Sequence, residues 1–96
     1  LNLVERNGAS IKLEPRAMDL LVYLAGTPGR VTSADELLRE VWHGRVFDDN
    51  VVYKKINQLR RALGDDPRGR RFIETIPKRG YRLVAQVTME NAEPAN

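Results

Sequence analysis

Asn50-Val51-Val52-Tyr53-Lys54-Lys55-Ile56-Asn57-Gln58-Leu59-Arg60-Arg61-Ala62-Leu63-Gly64 is a stretch with two unlike faces. Val52, Ile56, Leu59 and Leu63 follow at steps of four, three and four. At about 100° per residue they form one apolar stripe, which predicts a helix. Asp48, Asp49 or Asn50 can cap its start, and Gly64 stops it. The opposite side holds Asn50, Lys54, Asn57, Gln58 and Arg61, with Tyr53, Lys55 and Arg60 at its margins. No acid stands on that face. A helix that serves only solubility intersperses Glu with Lys for i,i+4 pairing. Amides and cations instead match base edges and phosphates, and a helix fits the major groove. The pattern reads as a recognition helix.

Downstream, 71–76 is β-like and the run from Tyr81 to Val87 is its partner across Pro77-Lys78-Arg79-Gly80. The expected hairpin therefore spans 71–87, with Lys78 and Arg79 at its tip. Gly80 supplies a backbone conformation that a side chain would resist. A charged turn alone needs no function. Beside a basic helix, it reads as a wing that lays cations on phosphates or into a narrow minor groove.

Upstream, Asn7-Gly8 between Leu1-Asn2-Leu3-Val4 and Ser10-Ile11-Lys12-Leu13 is a hairpin signal, giving strands within 1–14. Pro15 opens a first helix, with Met18, Leu21, Val22 and Ala25 on its apolar face and Gly26 at its end. Ser33-Ala34-Asp35-Glu36 is a capping box for a second helix. Leu37, Leu38, Val41 and Trp42 are its buried side, and Gly44 stops it. Three helices thus fill 15–64. The order predicts an α+β domain, and the second and third helices make a helix-turn-helix with a long link. From Thr88 onward nothing is periodic, so 88–96 is expected to be a linker or disordered tail.

Ninety-six residues, 42% hydrophobic and 30% charged, fit one globular domain. Without cysteine there is no disulfide and no thiolate chemistry, and the chain suits a reducing cytoplasm. One histidine, His43, excludes a multi-His metal site within one copy. No apolar run reaches the roughly 18 residues of a membrane span, and no signal peptide opens the chain. The net charge of +3 hides an asymmetry. Residues 1–50 carry six cations against eight acids, whereas 51–82 carry ten against three, a net of +7. Such a concentration is the footprint of a polyanion partner.

At these residues the chain resembles the winged-helix effector domain of the OmpR/PhoB type, in the variant found in CadC/ToxR-like transmembrane regulators. The matching residues are Val41-Trp42, Ile56, Leu59-Arg60, Ala62-Leu63-Gly64-Asp65 and the block from Phe72 to Leu83. The resemblance covers 1–87. It implies an N-terminal antiparallel sheet, a three-helix core and a C-terminal wing. It also implies sequence-specific binding to double-stranded promoter DNA, often as a head-to-tail pair on direct repeats. Major-groove and phosphate contacts would fall on Asn50, Val51, Lys54, Lys55, Asn57, Gln58, Arg60 and Arg61. Trp42, Thr75, Lys78, Arg79 and Tyr81 would add backbone or wing contacts. The loop Gly44–Asp49 would face RNA polymerase. Where many members have Thr before the first helix's Pro, this chain has Glu14, which implies a weaker cap. Asn57-Gln58, where two-component members are Arg-rich, implies a different target sequence. A start at Leu1 with only two strands implies trimming, and the fragment itself makes no membrane contact.

Other chemistry finds no support. Asp48-Asp49 and Asp65-Asp66 suffice as caps and turn formers, no phosphate-binding Gly-rich loop ends in Gly-Lys-Ser/Thr, and Ser10 and Ser33 have no activating His nearby. No enzyme, cofactor or metal is expected. Trp42 reads as a core anchor with its indole edge toward a phosphate. Phe47 either plugs the core between the second and third helices or faces polymerase. The competing reading is a winged helix used for protein–protein or RNA contact, which usually loses the cations of the third helix.

Overall fold

Strands β1 (Leu3–Arg6) and β2 (Ala9–Lys12) pair antiparallel, with Leu3 opposite Lys12 and Arg6 opposite Ala9. The computed structural model describes residues 3–6, 9–65, 68 and 72–84. Positions 1–2 of the expected first strand, the expected Asn7-Gly8 turn, position 71 and positions 85–87 of the expected wing, and the 88–96 tail therefore lie outside the described residues.

Each helix begins at a side chain that accepts an orphan backbone N–H. In α1 (Pro15–Ala25), Glu14 Oε1 accepts from Ala17 N at 3.2 Å. Glu14 thus caps, and the same oxygen receives Lys55 Nζ at 2.8 Å. Ser33 Oγ caps α2 (Ala34–Glu40) by accepting from Glu36 N at 3.1 Å. Asp48 Oδ1 caps α3 (Asp49–Leu63) through Asn50 N at 3.0 Å. Helix α3 ends where Gly64 turns left-handed at φ 73.

The second helix is shorter than its stop signal implied. Val41 is already its C-cap, and Leu37 O accepts from both Val41 N and Trp42 N. His43 and Gly44 follow at φ 58 and 71, and Gly44 N closes the end on Leu38 O at 2.9 Å. Val41 and Trp42 remain buried beyond the helix proper.

One core joins the elements. Leu20, Leu21 and Leu24 of α1 meet Leu37 of α2 and Val52, Ile56 and Leu59 of α3. Ile73 of β3 (Ile73–Ile76) and Leu83 of β4 (Gly80–Leu83) close it. These strands pair from Ile73↔Leu83 to Ile76↔Gly80, and the facing pair Glu74 and Arg82 forms a salt bridge. Thr32 adds a bridge that the pattern did not announce. Its N–H donates to Tyr81 O at 2.8 Å and its carbonyl accepts from Tyr81 N at 2.9 Å. The wing is thereby stitched to the segment entering α2. Among the described residues no helix is long and apolar enough to cross a membrane.

Candidate nucleic-acid interface

The capped start of α3 and the tip of the wing form the two walls of an open cleft. Asn50 and Tyr53 line one wall, Thr75, Lys78 and Arg79 the other, and Tyr81 joins them. Six of the residues expected to contact DNA are thus brought together by elements far apart in the chain. Asp35, Asp49 and Ser33 line the same cleft; sequence reasoning had assigned Ser33 only its capping role. The wing turn closes with Arg79 N donating to Ile76 O at 2.9 Å. Pro77 takes its first corner, and Lys78 its second at φ 65. That corner is one that turns with a positive φ usually give to Gly. A lysine held there exposes its ammonium at some cost in backbone strain.

Beyond the cleft, Lys54 and Arg61 stand exposed on the outer side of α3. Lys55, Asn57 and Gln58 are half-buried and already engaged. Lys55 Nζ donates to Gln58 Oε1 at 3.0 Å as well as to Glu14. The Lys55 hydrogen bond holds the Glu14 carboxyl below its ordinary value, against a smaller opposing effect of desolvation. Tethering of α1 to α3 by this pair spans residues too distant in sequence for any local signal to show.

Arg60 requires a correction. It was expected on the margin of the outer face, among the DNA contacts, but it is only 5% exposed. Its Nε and Nη2 donate to Ile73 O at 3.2 and 3.0 Å, and Nη2 to Thr75 Oγ1 at 2.6 Å. Nη1 donates to Asn57 Oδ1 at 3.2 Å. The margin of the helix faces β3, so the guanidinium satisfies a buried strand carbonyl rather than a phosphate.

Trp42 and Val51 are likewise not brought to the cleft. The indole is 8% exposed, with the Arg16 guanidinium 5.8 Å from its ring centroid. Arg16 Nη1 also donates to Val41 O at 2.6 Å, which holds the guanidinium over the indole. Val51 is half-buried against the core. Tyr81 lines the cleft with little exposure, and its burial pushes the phenol above its ordinary value. Phe47 resolves in the opposite direction. At 88% exposure it cannot be plugging the core.

The arrangement fits a known group of proteins. The family model described as "Transcriptional regulatory protein, C terminal" matches residues 8–83. The transcriptional activator CadC of Escherichia coli is 42% identical over 94 residues, 97% of this chain. The cholera toxin transcriptional activator of Vibrio cholerae is 34% identical over 87 residues, 88% of this chain. The chain spans 18% and 30% of the lengths of these two relatives. Among solved structures, the DNA-binding domain of E. coli CadC superposes with a TM-score of 0.81 at 41% identity, covering 93% of this chain and 84% of that one. The DNA-binding domain of Klebsiella pneumoniae RstA, in complex with the RstA box, has a TM-score of 0.78 at 28% identity, covering 85% and 82%.

Proposed function

The chain belongs to the OmpR/PhoB type of the Transcriptional regulatory protein, C terminal family, and on that premise we propose that it is the sequence-specific DNA-binding domain of a bacterial transcriptional regulator. The observation that carries this reading is the cleft in which Asn50 and Tyr53 of α3 face Lys78 and Arg79 of the wing. Helix α3 enters the major groove, presenting Asn50, Lys54, Asn57, Gln58 and Arg61 to bases and phosphates. The wing rests on the flanking backbone or minor groove, where cations add affinity and little sequence information. Residues 1–87 act as one non-catalytic domain in the cytoplasm, binding direct repeats as a head-to-tail pair.

Salt dependence tests the docking. Lys78→Gly keeps the turn's positive φ without steric cost, so Lys78→Gly combined with Arg79→Ala removes charge and spares the fold. This pair should weaken cognate and random duplexes alike. It should also flatten the slope of log K against log salt by about one to two units. An unchanged slope would remove the wing from the interface. A gel shift comparing duplex DNA with a structured RNA at one stated salt concentration separates this reading from RNA binding.

The exposed Phe47 supports a second surface, for RNA polymerase, on the Gly44–Asp49 loop. Phe47→Ala should leave melting within about 0.5 kcal/mol of the parent, as exposed positions do, and leave DNA affinity unchanged. Transcription from a dependent promoter in a reconstituted assay should fall. Full activation by the variant would rule the surface out.

A further inference from the structure

Two cations on α3 decide which end of each neighbouring amide can meet a base. Lys55 Nζ lies 3.0 Å from Gln58 Oε1, and Arg60 Nη1 lies 3.2 Å from Asn57 Oδ1. Ammonium and guanidinium groups only donate, so each must meet a carbonyl oxygen and never an NH2. The hydrogen-bond network therefore assigns both amides, which is how such orientations are determined. Neither cation is loosely held. Lys55 also bonds Glu14, which is fixed in turn by capping α1. Arg60 is buried and bonded to Ile73 O and Thr75 Oγ1.

Resting on the DNA-binding reading above, we infer that Asn57 and Gln58 read the major groove as donors only, selecting keto bases over amino bases. With its oxygen held by a cation, each amide offers a base its NH2. Guanine presents O6 and N7 and thymine presents O4, all acceptors. Adenine presents N7 beside a competing N6 donor, and cytosine presents only its N4 donor. The familiar bidentate amide–adenine pair needs the oxygen to swing outward beside the NH2. Here each oxygen already accepts from Lys55 or Arg60, so turning it toward a base competes with that bond. The internal cations thus convert two ambivalent side chains into a one-sided code.

Selection from randomised duplexes with the 96-residue chain tests this. The base pairs read by each amide are those whose preference relaxes in Asn57→Ala or Gln58→Ala. Guanine or thymine should stand there on the strand being read. Lys55→Met frees the Gln58 oxygen, and adenine should rise about fivefold relative to guanine at its position, the lower end of a good base contact. Asn57→Asp keeps an acceptor for Arg60 and loses the donor. Affinity for the selected duplex should fall about tenfold, with the melting temperature retained. Adenine or cytosine at those positions in the unmodified protein would overturn the donor assignment while leaving DNA binding intact. Failure to enrich any sequence would overturn the DNA-binding reading and this inference with it.

Discussion

Gly80→Val is expected to destabilise the domain by about 3–5 kcal/mol, combining overpacking with backbone strain. Gly80 sits at φ 143, and a Cβ there would lie 2.0 Å from Thr32 O and 2.8 Å from Ser33 Cα. Both are backbone atoms of the segment that pairs with Tyr81 and caps α2, so neither can rotate away. The effect therefore exceeds the misplaced wing tip that the turn pattern alone would imply. It reaches the start of α2 and the core behind it. Gly29→Ala is the control. Its φ is 81 with nothing within 4 Å of the new Cβ, so only the left-handed backbone counts, about 1–2 kcal/mol. Urea unfolding followed by circular dichroism measures both. Equal losses in the two variants would mean that the contact with Thr32 is not what constrains Gly80.

The same contrast explains what the sequence made legible. Caps and stops act within a few residues of where they are written, so Pro15, Ser33, Asp48 and Gly64 mark helix ends correctly. Apolar spacing likewise identified the buried stripe of α3, because Val52, Ile56, Leu59 and Leu63 need only the helical period. What stayed hidden depends on partners from elsewhere in the chain. Thr32 pairs with Tyr81 through backbone atoms that every residue has, so no side-chain pattern marks the bridge. Glu14 looked like a poor substitute for a short cap, and its tether to Lys55 exists only once α1 and α3 pack. Arg60 misled for a related reason. A helical wheel gives an angle, and whether that angle meets water or a strand depends on where β3 lies. For the cleft, residue types were readable but their availability was not, since Lys55, Asn57 and Gln58 are already bonded to neighbours.

Arg60→Met should cost about 2–3 kcal/mol, the upper part of the range for leaving a buried polar group unsatisfied. Methionine retains much of the aliphatic stem, so packing changes little and the lost hydrogen bonds dominate. Ile73 O loses its two guanidinium donors, Nε and Nη2, at the buried start of β3. Thr75 Oγ1 also loses its partner, but it lies on an exposed residue where water can replace the bond. Arg60→Lys should recover only part of the loss. A single ammonium cannot reproduce the planar fork that reaches Ile73 O, Thr75 Oγ1 and Asn57 Oδ1 together. The defect should be local before it is global. Hydrogen exchange should quicken first at the amides of β3 and β4, while those of α1 keep most of their protection. Binding carries an independent signature, because Asn57 is released as well and should discriminate less between guanine and adenine. If lysine restores full stability and wing protection, the guanidinium fork is not what joins α3 to the wing.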